Sequence, residues 1–152
     1  MMRSIKMTTI YEWYGWPKKV AVNCSRCDYI ADFNNPIQVT KMVGPSTRPL
    51  KKEYTDFFTG NISCLNCGLS KEETMQWPID AYYSGDVKGQ ILWAWNKIHA
   101  EAIREFILST SRNYKQYNYS TSLYHLPEHF KLSKNRDACL KALDRMISRK
   151  DK

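Results

Sequence analysis

The chain has 152 residues, of which 43% are hydrophobic and 13% aromatic, enough apolar material for one globular domain or two small modules with a common core. It carries 23 Lys and Arg against 15 Asp and Glu, a formal charge of +8, which points to phosphates or an acidic protein as partner. No run of 18 apolar residues occurs, and the start, MMRSIKMTTIYEWYGWP, lacks the apolar stretch and cleavage site of a secretory signal, so a cytoplasmic protein with no membrane contact is expected.

In chain order, the first element is a short strand, VAVN, that runs into Cys24 and Cys27. DYIADF after them has the aromatic and β-branched content of the returning strand. A second C-x-x-C pair, Cys64 and Cys67, repeats the spacing within NISCLNCGLS, and Cys139 is left over. In a reducing compartment two matched pairs are better explained by a metal than by disulfides. A C-x-x-C turn offers two thiolates on one side of a tight loop, so two such turns complete the tetrahedral sphere of one structural Zn²⁺ ion. A catalytic or redox thiol would need a βαβ context and a helix N-terminus to activate it, and neither is visible. Gly68 after Cys67 suits a knuckle turn, whereas Asp28 in the matching place makes the first knuckle less standard. Residues 28–63 form an insertion, punctuated by NNP and GPSTRP, between the two hairpins.

After Trp77 and Pro78 the apolar period changes. Ile91, Trp95, Ile98, Ala102 and Phe106, with Leu92, Ile103 and Ile107, follow three-and-four spacing and predict a helix over residues 89–110. Trp93 and Trp95 cannot occupy one helix face, so one is assigned to the core and the other to packing on the ribbon or on the Tyr82–Tyr83 segment. His99 reads as a packed, hydrogen-bonded histidine rather than a ligand, and the pair His125 and His129 is interrupted by Pro127. Pro127 starts a further helical turn. Ser133 is the expected N-cap of a terminal helix with the apolar stripe Leu140, Leu143, Met146 and Ile147, and Cys139 is a buried small hydrophobe on it. Trp95, Ile98, Phe106, Leu140, Leu143 and Met146 are expected to join the two helices. The reading is therefore α+β: a Cys₄ zinc ribbon of two β-hairpins over residues 1–88, packed with a C-terminal helical pair over residues 89–152.

The basicity concentrates at the end, with eight basic and three acidic side chains in residues 131–152. Lys134, Arg136, Lys141, Arg145 and Arg149 are the candidate phosphate contacts, several at spacings of one or two turns. In residues 111–125, Tyr114 and Tyr117 alternate with Arg112 and Lys115, a composition able to stack bases and neutralise phosphates, or equally to form an ordered loop.

The paired knuckles, the tryptophan-rich stretch ILWAWNKIHAEAIREFI, the motif LPEHFKLSKNR and the basic end resemble small bacterial zinc-ribbon proteins with a ribbon of transcription factor IIB type. The resemblance implies a cytosolic zinc-binding protein. Ribbons of this type bind nucleic acid in some proteins and other proteins in many. The functions expected are nucleic-acid binding or, alternatively, a protein-interaction module such as an inhibitor or immunity protein bound to a toxin or other acidic partner. With no open metal site, nucleophile with base, phosphate loop or carboxylate pair in view, no enzyme and no small-molecule substrate are expected.

Overall fold

A computed structural model describes residues 16–44, 51–109, 119–124 and 126–149. Four strands, β1 (Lys19–Asn23), β2 (Ile30–Val43), β3 (Lys51–Ser63) and β4 (Ser70–Gln76), form one antiparallel sheet in the order of the sequence. The β1–β2 hairpin carries Cys24 and Cys27 in its turn, and the β3–β4 hairpin carries Cys64 and Cys67. The expected insertion is thus the pairing of β2 with β3, which welds the two hairpins edge to edge and brings both turns to the same end of the sheet. Val20, Val22, Ala31, Phe33, Phe58, Ile62 and Met75 are buried on one face, the period-2 pattern of a sheet covered on one side.

The helix predicted over residues 89–110 is shorter than expected, because its first turn is a strand. β5 (Tyr83–Val87) and β6 (Gln90–Ala94) form a second hairpin whose two-residue turn, Lys88-Gly89, has φ of 51° and 92°. Positive φ at both central residues is the type I′ geometry that matches strand twist. The expected module boundary at residue 88/89 falls inside this turn. Helix α1 (Lys97–Leu108) begins after Asn96, whose side-chain oxygen accepts the His99 N–H at 2.8 Å and so satisfies one orphan donor of the first turn.

The rest is helical: α2 (Ser120–Tyr124), α3 (Glu128–Lys131) begun by Pro127 as expected, a 3₁₀ turn over Ser133–Asn135, and α4 (Arg136–Ser148). Ser133 is not the cap of α4. It opens the 3₁₀ turn, and Asn135 holds the cap position without a side-chain bond. α4 packs on both α1 and β5. A Cβ on Gly85 of β5 would lie 3.4 Å from the Ala142 methyl and 3.8 Å from Met146 Cε, so strand and helix meet closely there. Phe106, Leu143 and Met146 are buried as expected, but Ile98 is 55% exposed and Leu140 is half-buried.

Trp93 and Trp95 are both buried in one core, and neither lies on the helix expected to carry them. The reason is the strand: Trp93 lies at the end of β6 and Trp95 just beyond it, where both sides of the chain are covered. Trp16, Trp77, Trp93 and Trp95 meet one another at centroid distances of 5.2 to 5.8 Å. Trp16 also stacks on Phe58 at 4.3 Å, so the cluster joins the sheet to the second hairpin. The outer edge of β1 is closed by the same region: Ala21 N donates to the Trp95 carbonyl at 2.7 Å, and Tyr82 N to that of Ala21 at 3.1 Å. An edge covered in this way presents no free ladder to another chain.

Candidate metal centre and charged surfaces

Each knuckle is built by the same local hydrogen bonds. In the first, Cys24 N donates to Tyr29 O at 2.7 Å and Asp28 N to Cys24 O at 2.9 Å; in the second, Cys64 N donates to Leu69 O and Gly68 N to Cys64 O, both at 2.9 Å. The fourth residue after each leading cysteine must take a left-handed backbone for the turn to close, and Asp28 (φ 65°) and Gly68 (φ 78°) both do so. Asp is one of the few residues with a side chain that visits this region routinely. The first knuckle therefore has the same geometry as the second despite its different residue.

The four Sγ atoms of Cys24, Cys27, Cys64 and Cys67 lie within 4.8 Å of one another. Across the two knuckles, Cys24 and Cys67 are 3.6 Å apart and Cys27 and Cys64 are 3.5 Å apart. Sulfurs placed tetrahedrally at about 2.3 Å from a zinc ion have edges of about 3.8 Å, so the donor set fits one such ion. Cys24 and Cys64 are buried, while Cys27 and Cys67 are half-buried.

The surroundings favour thiolates at the outer pair. The Leu69 backbone N–H draws the Cys67 thiol down to about 6, with the Arg26 side chain adding to it against the effect of burial. Arg26 Nη2 also donates to the Cys67 carbonyl oxygen at 2.6 Å, which holds a positive charge over the site. The Asn66 amide, donating to Cys27 Sγ at 3.4 Å, lowers the Cys27 thiol in the same way. At Cys64 the Cys67 backbone N–H also pulls downward, but burial and the neighbouring thiols outweigh it and push the group up to about 11. A bound cation must displace that proton, so metal affinity falls with acid.

The other cysteine, Cys139, is buried and its thiol faces the Phe130 carbonyl oxygen at 3.6 Å, in keeping with the reading of a small core residue. His99 is fully buried as well. The Trp95 backbone N–H donates to its Nδ1 at 3.0 Å, which leaves the ring proton on Nε2, facing Ser122 Oγ at 2.9 Å. That is the opposite tautomer from a nucleophile-activating pair, in which Nδ1–H points to a carboxylate and Nε2 accepts the hydroxyl proton. His129 Nε2 lies 2.8 Å from the Val87 carbonyl oxygen, and His125 lies outside the described residues.

The candidate basic residues divide. Arg136 Nη2 donates to the Leu108 carbonyl oxygen at 2.8 Å, satisfying an orphan acceptor at the end of α1. Arg149 donates to the Tyr82 carbonyl oxygen at 2.7 Å and to Asn23 Oδ1 at 2.9 Å, so it is a tie between α4 and the sheet. Lys134, Lys141 and Arg145 are exposed, with the exposed acids Asp137 and Asp144 among them. Asp144 in turn binds Arg104 of α1 at 2.6 Å. Arg112, Tyr114, Lys115 and Tyr117 lie outside the described residues; Tyr119, close behind them, accepts a hydrogen bond from Asn96 Nδ2 at 2.8 Å.

Among the described residues no helix is long and apolar enough to cross a membrane. No family model, no curated protein and no solved structure matches this chain.

Proposed function

We propose that the chain is a small cytoplasmic zinc protein without catalytic chemistry of its own, a zinc ribbon of transcription factor IIB type whose basic surface binds nucleic acid. The observation that carries the metal reading is the convergence of four sulfurs, two from each hairpin, within 4.8 Å. Four thiolates from Cys24, Cys27, Cys64 and Cys67 fill a tetrahedral sphere, leaving no position for a substrate water, so the ion holds the knuckles together instead of activating a reactant. Its binding energy is then folding energy for that end of the sheet. The tautomer of His99 supports the non-catalytic reading, because the ring nitrogen that faces Ser122 Oγ carries the proton and cannot accept one from it.

The nucleic-acid reading rests on the charge of +8, which two extra negative charges from a zinc tetrathiolate would reduce to about +6. A protein partner with an acidic surface is the second reading, favoured by Leu65, which stands fully exposed at the tip of the second knuckle. Gel retardation of mixed DNA and RNA at low salt separates them. Retardation that weakens steeply with added salt supports the first reading. No retardation of either nucleic acid removes it and leaves the protein partner.

A further inference from the structure

The four clustered cysteines differ in their access to solvent. Cys24 and Cys64, the first of each C-x-x-C pair, are 3% exposed, whereas Cys27 and Cys67 are half-buried. The short sulfur separations cross this division, since Cys67 lies 3.6 Å from Cys24 and Cys27 lies 3.5 Å from Cys64. Each close pair joins one accessible sulfur to a buried sulfur of the other hairpin. An accessible thiolate beside a second cysteine is the arrangement that a peroxide converts to a disulfide.

Charge separates the two accessible sulfurs. At Cys67 the Arg26 guanidinium stands over the knuckle, with Nη2 donating to the Cys67 carbonyl oxygen at 2.6 Å. At Cys27 the neighbour is the neutral Asn66 amide, which donates to the sulfur at 3.4 Å. A cation beside a thiol favours its anion and stabilises the hydroxide that leaves during oxidation. Cys67 is therefore the sulfur placed to react first.

From this geometry we infer that the metal centre is also a modification site for hydrogen peroxide: Cys67 is oxidised and Cys24 resolves it, tying the two hairpins by a disulfide in place of the ion. The inference rests on the metal reading above. The Cys67 thiolate attacks one oxygen of the peroxide; an S–O bond forms as the O–O bond breaks, and hydroxide leaves. The Cys24 thiolate then attacks that sulfur, an S–S bond forms and a second hydroxide leaves, so two thiolates lose the two electrons that the peroxide gains. Cys27 and Cys64 are left as the only donors, too few for a closed sphere, and a second peroxide joins them in the same way. The sheet stays together throughout, because Asp32, Phe33 and Asn34 pair with Ser63, Ile62 and Asn61 at the knuckle end.

The test uses the zinc-loaded full chain, freed of reductant and treated with hydrogen peroxide in small increments. Released zinc is followed with a chromophoric chelator, and the remaining thiols are alkylated. Trypsin and chymotrypsin, cutting after Arg26 and Leu65, then place the four cysteines on separate peptides for mass mapping. Expected is complete zinc release by about two equivalents of peroxide, one for each disulfide, with the bond between Cys24 and Cys67 the first to form and zinc rebound after reduction. Arg26→Gln, in a chain that still loads zinc, should slow release about threefold or more. Cys139→Ala should change neither rate nor product, because that thiol is buried away from the cluster. Zinc retained in excess peroxide, or sulfinic and sulfonic acids formed without a disulfide, overturns the modification site. A first disulfide inside one knuckle, Cys24 to Cys27 or Cys64 to Cys67, overturns the pairing across the hairpins, and release from Arg26→Gln at the parent's rate overturns the role of Arg26. A chain that purifies without zinc removes the underlying metal reading, a result distinct from all of these.

Discussion

The Arg149 guanidinium lies 3.9 Å from the centroid of the Tyr82 ring while also donating to the Tyr82 carbonyl oxygen. One side chain at the end of α4 thereby fastens the last helix to the segment that covers β1. Arg149→Ala is expected to lower stability by about 1 to 2 kcal/mol, since charged hydrogen bonds and a partly desolvated cation–π contact are lost together. Arg149→Lys should recover only part, because an ammonium cannot bond two acceptors and stack in the same plane. Urea denaturation of the three proteins checks this, and DNA affinity of the folded variants should equal that of the parent.

His99 makes stability depend on pH. Burial pushes its pKa down to about 3, against about 6.5 in an unfolded chain, and a proton on Nδ1 would face the Trp95 N–H. Between these values the unfolded state binds the extra proton. The contribution is therefore complete above pH 6.5 and is lost as pH falls, by up to about 1.4 kcal/mol per unit. His99→Asn keeps an acceptor near the Trp95 amide but does not titrate. Its stability below pH 6.5 should fall less steeply than that of the parent, and equal slopes would show that another group sets the acid limit.

Trp93→Ala and Trp95→Ala should each cost roughly 3 to 5 kcal/mol, because both rings are buried in the same cluster. The double variant should differ from the sum of the two, since the rings are 5.8 Å apart and share a cavity. Thermal unfolding of the three variants measures it. A small effect for either residue alone would place that ring outside the core.

The tryptophans also show where sequence reading stops. Ile91, Leu92 and Trp95 satisfy helical spacing by accident, because the inner end of β6, Leu92–Ala94, is buried on both faces and therefore apolar without alternation. Two signals were present: Lys88-Gly89, a less familiar form of the Asn-Gly hairpin turn, and Asn96, a good N-cap. The four clustered cysteines were legible because C-x-x-C spacing encodes local geometry directly, and the α+β class followed from the β-branched and aromatic content beside them together with the helical period further along. Arg136 and Arg149 were not separable from Lys141, since their acceptors are backbone carbonyls 28 and 67 residues away.

At Gly68 a Cβ would meet nothing within 4 Å, so only the backbone, at φ 78°, opposes a side chain. Gly68→Val should cost about 1 to 2 kcal/mol, and Gly68→Asp appreciably less, because Asp28 already holds the matching position at φ 65°. Denaturation in excess zinc ranks them. Equal losses would mean that the two knuckles are not equivalent.

The most direct test of the metal centre is X-ray absorption at the zinc edge, with metal content measured on the same purified chain. One zinc per chain with four sulfur neighbours at about 2.3 Å is expected, and Cys64→Ser should lose the ion and unfold the knuckle end of the sheet. A chain that purifies and refolds without zinc, or a zinc shell containing nitrogen or oxygen in place of a sulfur, would contradict a closed site made by Cys24, Cys27, Cys64 and Cys67.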